Sequence, residues 1–114
     1  MSTMSFDFGD IVLVPFPFTN QAASKRRPAV IVSNLIYSTM RLDVVLMAVT
    51  SQLRADRDLL EIPIGQWQVA GLLKPSAIKP VFATLEQALV LRRLGALDRD
   101  DQTALRSGIA RIIG

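Results

Sequence analysis

The 114-residue chain contains no cysteine and no histidine. The first absence excludes disulfides and thiol catalysis; the two together remove nearly every transition-metal site, so no metal and no cofactor is expected. Aromatic residues make up only 6% of the chain, with one tryptophan and one tyrosine, so a small core claims most of them. Long hydrophobic runs are missing as well. The stretches Ile11 to Phe18 and Val44 to Val49 fall far short of the roughly 20 residues a bilayer span needs. The N-terminal segment carries Asp7 and Asp10 in place of the cations of a signal sequence. The expectation is a soluble protein of the reducing cytoplasm, without a membrane segment.

What is present is an apolar, mildly basic chain. Half of its residues are hydrophobic and 20% are charged, with a mean hydropathy of +0.34. That is enough apolar sequence for one core and too little length for two, so residues 1–114 read as a single domain. It is also more apolar than a small soluble monomer needs, which points to a homodimer. The formal net charge is +3, and Lys25, Arg26, Arg27, Arg41, Arg54 and Arg57 gather the cations in the first half. Such clustering suits a polyanion, although solvated surface charge is the competing reading.

The apolar pattern predicts several short strands: Ile11–Phe16, Pro28–Ser33 and Asp43–Val49, then Leu59–Ile64 and Ser76–Phe82. The second and third of these runs are almost continuously apolar, as for strands covered on both faces or set in a barrel wall. Pro63 and Pro80 belong at edge or bulge positions. Thr19–Ser24 reads as a loop leading into the basic cluster, and Asn34–Leu42 as a turn-rich connection. Leu85–Leu94 is ambiguous, helix-like at Glu86-Gln87-Ala88-Leu89 and strand-like at Leu89-Val90-Leu91-Arg92. Asp98–Ile112 reads as a terminal helix: Asp98 caps it, Asp100 and Asp101 favour its positive end, and Leu105, Ile109 and Ile112 share a face. Capping accounts for all three aspartates without a cation. The sum is a mainly β fold with a C-terminal helix, a small antiparallel barrel.

Two segments place polar groups where apolar runs start or stop. Arg27 precedes the strand at Pro28, and Thr50, Ser51 and Gln52 follow the strand that ends at Val49. If those strands pair antiparallel, the start of one lies beside the end of the other, and a guanidinium and hydroxyls face one phosphate. Successive strand residues alternate faces, so only one of Thr50 and Ser51 faces the site unless the strand has ended.

The run Gly9-Asp10-Ile11-Val12-Leu13-Val14-Pro15-Phe16, then Arg27-Pro28-Ala29-Val30-Ile31-Val32-Ser33, then Ala48-Val49-Thr50-Ser51-Gln52 resembles the MazF/PemK toxin family in order and spacing. Gly71-Leu72, Ser76-Ala77-Ile78 and the stretch from Thr84-Leu85 to Leu97-Asp98 resemble its second half, so the likeness covers nearly the whole chain. The resemblance implies an SH3-like antiparallel β-barrel with a C-terminal helix, usually homodimeric. It implies a type II toxin acting as a metal-independent, sequence-selective endoribonuclease, restrained by a cognate antitoxin. By the family's pattern Arg27 is the catalytic arginine and Thr50 the catalytic hydroxyl.

Metal-free RNA cleavage uses the substrate's own 2'-hydroxyl as nucleophile, leaving a 2',3'-cyclic phosphate or 3'-phosphate and a 5'-hydroxyl. The protein must stabilise the charge on phosphorus and move two protons. Arg27 suits the first task, because a guanidinium offers fixed charge and paired donors to two phosphate oxygens. Thr50 donates to the same phosphate or orients Arg27, with Ser51 as a second hydroxyl. Lys25 and Arg26 hold flanking phosphates, and Ser51 and Gln52 are further RNA-binding candidates. Trp67, Tyr37 and Phe18 are candidate base-stacking platforms, although core packing is the commoner use of such residues.

Proton transfer has no evident owner, since a guanidinium is a poor base and the loop Asn20-Gln21-Ala22-Ala23-Ser24 holds no carboxylate. Arg27 in both roles, a carboxylate from Asp56, Asp58 or Glu61, and low activity all remain open. Arg92 and Arg93 read as solvated. Two rival functions share this outline: a gyrase-poisoning toxin of the CcdB type, which has the same barrel, and a non-catalytic nucleic-acid-binding module. The first is disfavoured by the end Arg111-Ile112-Ile113-Gly114, where CcdB toxins resemble one another in a tryptophan.

Overall fold

A computed structural model describes residues 5–16, 25–53 and 59–114. Six antiparallel strands form one curled half-barrel sheet, closed by a C-terminal helix. In chain order these are β1 (Asp10–Phe16), β2 (Lys25–Ile31), the short helix α1 (Leu35–Met40), β3 (Asp43–Thr50), β4 (Ile62–Pro63), β5 (Ala77–Glu86), a 3-10 turn (Gln87–Leu89), β6 (Arg92–Ala96) and α2 (Arg99–Ile113). Across the sheet the order is β4-β5-β3-β2-β1-β6.

The continuous apolar runs have a simple cause: both faces of the sheet are covered. Ile11, Val30, Met47 and Val49 enter one core with Ile62, Ile78 and Leu105 of α2. Their neighbours Val12, Val14, Ala29, Ile31, Val44 and Leu46 enter a second core with Phe6 and Leu85. Alternation along each strand therefore sends every second residue to a different core. Trp67 is half-buried and packs on the first core, so it serves packing.

Several boundaries differ from the sequence pattern. β2 starts at Lys25, because Phe16, Pro15 and Val14 of β1 pair with Lys25, Arg26 and Arg27. Arg27 thus stands inside a strand. The connection after β2 contains α1, set by Asn34, whose side chain accepts from the Tyr37 N–H at 2.9 Å. Of Leu59–Ile64 only Ile62 and Pro63 are strand, at the sheet edge. β5 runs on to Glu86. The ambiguous stretch resolves into the 3-10 turn followed by β6.

Pro80 occupies a bulge. Met47 pairs with Phe82 and Val49 with Ile78, so Lys79, Pro80 and Val81 together oppose Ala48. A residue without an N–H is tolerated there and not in a regular ladder. The turns over residues 65–72 are held from two sides. Asp98 caps α2 by accepting from Asp101 N–H at 2.9 Å, while the Asp101 carboxylate reaches out to the N–H groups of Gly65 at 2.9 Å and Gln66 at 2.8 Å. On the other side the Ala70-Gly71 backbone lies against Leu94-Gly95 of β6. A Cβ at Gly95 would strike the Ala70 carbonyl, and one at Gly71 the Leu94 carbonyl.

Candidate active site

β2 and β3 pair through Ala29 with Ala48 and Val30 with Met47. Continued by two residues, that register sets Arg27 level with Thr50, and level positions on neighbouring strands point to one side. Both side chains line a hollow of about 200 Å³, with Phe16, Gln52, Lys79 and Val81 among its walls. The antiparallel juxtaposition anticipated from the two segments is therefore present in the fold.

Each wall has a local cause. Val14 pairs with Arg27, so Phe16, two residues on, sits diagonally across from Arg27. The guanidinium carbon stands 5.5 Å from the Phe16 ring centre, within reach of the ring quadrupole. Thr50 closes β3, and its Oγ1 accepts from the Gln52 N–H at 3.1 Å. That turn brings Gln52 back to the hollow and leaves the threonine hydroxyl proton free to point elsewhere. Lys79 enters from the β5 bulge.

Alternation divides the remaining candidates. Ser51 lines a different hollow of about 390 Å³, on the face where Leu13 pairs with Pro28 and with Arg92; Leu72, Lys74, Arg92 and Leu94 also line it. Pro28 lines both hollows, so the two flank one rim of the sheet. Lys25 and Arg26 are exposed on successive positions of β2, Lys25 towards the Arg27 face and Arg26 towards the other. Arg93 is not merely solvated: it bonds the Ser5 carbonyl at 2.6 Å and Asp10 at 3.1 Å and covers the Phe6 ring.

Of the proposed carboxylates, Glu61 does not line the Arg27 hollow, and Asp56 and Asp58 lie outside the described residues, as do Phe18, Arg54, Arg57 and the loop before Lys25. Tyr37 is remote from it, lining a hollow with Val45, Phe82 and Ile113. Its hydroxyl is held above the ordinary tyrosine pKa by hydrogen bonding to Asp43, then by burial and by the Asp43 charge, against an opposing effect of Arg41. No group of three or more potential metal-ligating side chains occurs among the described residues, and no helix among them is long and apolar enough to cross a membrane.

Sequence reasoning missed three walls of the hollow, Phe16, Lys79 and Val81. Phe16 was within reach, because a period of two from Val14 finds it once the β1–β2 register is known. Lys79 and Val81 were not, because their face becomes that of Thr50 only through the register of β5 on β3.

A family model described as PemK-like, MazF-like toxin of type II toxin-antitoxin system matches residues 7–113. No curated protein sequence matches the chain. Among solved structures, it is similar to a MazE-MazF complex from Deinococcus radiodurans, with TM-score 0.75 and 17% identity over 98% of each chain. It is also similar to the toxin MazF-mt6 of Mycobacterium tuberculosis, with TM-score 0.72 and 21% identity over 90% of this chain and 93% of that one. A third similar structure is an endoribonuclease in complex with its cognate antitoxin from Mycobacterial species, with TM-score 0.75 and 16% identity over 98% and 96%.

Proposed function

Because this chain belongs to the PemK-like, MazF-like toxins of type II toxin-antitoxin systems, we propose that it is an endoribonuclease that cuts single-stranded RNA by attack of the 2'-hydroxyl on the adjacent phosphorus. The observation that carries this reading is the presence of Arg27 and Thr50 in the walls of one hollow, at the ends of two strands that pair antiparallel. In this reading the Arg27 guanidinium takes two phosphate oxygens and stabilises the charge that grows on them. Phe16 beneath it limits the directions the guanidinium can take. Thr50 donates to the same phosphate, its oxygen accepting from Gln52 N–H while its hydroxyl proton is left free. Lys25 and Arg26 hold phosphates on either side of the cut, and Ser51 and Gln52 contact RNA on the two flanks of the rim.

Two partners follow. Similar structures include toxins in complex with a cognate antitoxin; here an acidic, partly disordered antitoxin segment would compete with RNA for the same cations. A second copy of the chain would cover exposed Ile36, Met40, Phe82 and Ile113, forming a homodimer. The setting is the cytoplasm, where mRNA is exposed.

The test is incubation of purified protein with single-stranded RNA in EDTA, beside Arg27→Ala and Thr50→Ala, with both new ends mapped. The expected products carry a 2',3'-cyclic phosphate or 3'-phosphate and a 5'-hydroxyl. Intact RNA with the wild-type protein overturns the enzyme reading; full cleavage by Arg27→Ala refutes the site.

A further inference from the structure

The hollow that holds Arg27 and Thr50 contains one more group with chemistry of its own. Lys79 lines it, because Thr50 pairs with Ala77 and Lys79, two residues on, lies on the same face of the sheet. Lys79, Pro80 and Val81 together face the single residue Ala48 of β3. Alternate residues of a strand point the same way, so Lys79 and Val81 share the face of Ala77 and, across the ladder, of Thr50. Val81, two residues further on, ends in the hollow as well. The two ion pairs among the described residues, Arg41 with Asp43 and Arg93 with Asp10, lie elsewhere.

The reaction needs such a group. Among the described residues that line the hollow there is no carboxylate, and the chain has no histidine. A guanidinium keeps its protons at any pH a protein survives, whereas an ammonium gives one up and regains it. Expelling a 5'-alkoxide without a proton is unfavourable, so a positioned acid accelerates the step.

Resting on the ribonuclease reading above, we propose that Lys79 is the general acid of the cleavage. The 2'-oxygen forms a bond to phosphorus as its proton passes to solvent hydroxide, and the bond from phosphorus to the 5'-oxygen breaks. The electron pair of that bond stays on the 5'-oxygen, which takes a proton from the Lys79 ammonium. Lys79 is then reprotonated by water, which regenerates the hydroxide consumed. Nothing is oxidised or reduced, and the products are a 2',3'-cyclic phosphate and a 5'-hydroxyl.

The test compares two RNA oligonucleotides containing the mapped cut site, one natural and one with sulfur replacing the bridging 5'-oxygen there. A thiolate leaves without a proton. On natural RNA, Lys79→Ala and Lys79→Arg both lose roughly 10²-fold or more in kcat, the scale of general acid catalysis. On the sulfur substrate both Lys79 variants return to within roughly tenfold of wild type, as the acid step is no longer needed, while Arg27→Ala stays impaired. An equal deficit of Lys79→Ala on both substrates overturns the proposal, and so does a wild-type rate for Lys79→Arg on natural RNA. Wild-type protein that leaves both substrates intact overturns the ribonuclease reading and this proposal with it.

Discussion

Arg27 and Thr50 stand level across β2 and β3, two positions beyond the pair Ala29 and Ala48, and line the same hollow. Neither depends on a loop for its place. Replacing Arg27 by Ala is expected to lower kcat by roughly 10²- to 10³-fold, the usual loss for one strong donor to a developing anion. Because the residue is exposed, the urea midpoint should hardly move. Arg27→Lys keeps the charge but not the fork and should recover little of the rate. Thr50→Ala should lose roughly tenfold, in line with about 1.4 kcal/mol for a hydrogen bond, and Ser51→Ala less. Initial rates on one RNA substrate check all four.

The basic triplet predicts a salt signature. For single strands, log Kd against log salt changes by roughly 0.7 per phosphate neutralised. Lys25→Ala and Arg26→Ala should each flatten the slope by about that amount and weaken all sequences alike. Filter binding over a salt series, with Arg27→Ala as the inactive background, measures it.

The 65–72 turns should be the most sensitive part of the fold outside the cores. Asparagine at position 101 offers one acceptor oxygen where Gly65 and Gln66 present two donors, so Asp101→Asn should cost about 1.5–3 kcal/mol. Gly95→Ala drives a Cβ into the Ala70 carbonyl, and overpacking against backbone costs about 1–3 kcal/mol or more. Urea unfolding of both variants checks these values.

A pH effect follows from Tyr37, the only tyrosine. Asp43 raises its pKa in the folded chain, so the folded state holds the phenolic proton more tightly than the unfolded state. The sign is fixed by linkage: the contribution is full below the ordinary tyrosine value and is lost as pH rises through the raised one. Phenolate absorbance should appear at higher pH in native than in denatured protein, and Asp43→Asn should narrow the gap.

If the face around Tyr37, Phe82 and Ile113 pairs with a second copy, Phe82→Glu should move the sedimentation coefficient from dimer to monomer. An unchanged wild-type monomer removes the homodimer.

Much of this was legible in the chain. Strands β1 to β3 could be read because two-sided burial leaves long apolar runs, and α2 because Asp98 and the Leu105–Ile109–Ile112 face follow helical rules. From β2 and β3 alone, Arg27 and Thr50 could be matched. α1 was illegible because Leu35-Ile36-Tyr37 is too short to show a period, leaving Asn34 as its sole signal. Leu59–Ile64 looked like a strand because its composition is apolar, yet only two residues find a partner in β5. Lys79 escaped because its face is fixed by the register of β5 on β3, which no local pattern announces.

In the ribonuclease reading, β5 also bears on when the chain becomes active. Residues 27, 50 and 79 come together only through pairing of strands distant in sequence. A nascent chain that has not yet delivered β5 cannot close the hollow, so in the proposed ribonuclease the first two thirds of the polypeptide would be inactive, and the interval for an antitoxin to bind would begin only when the last third emerges.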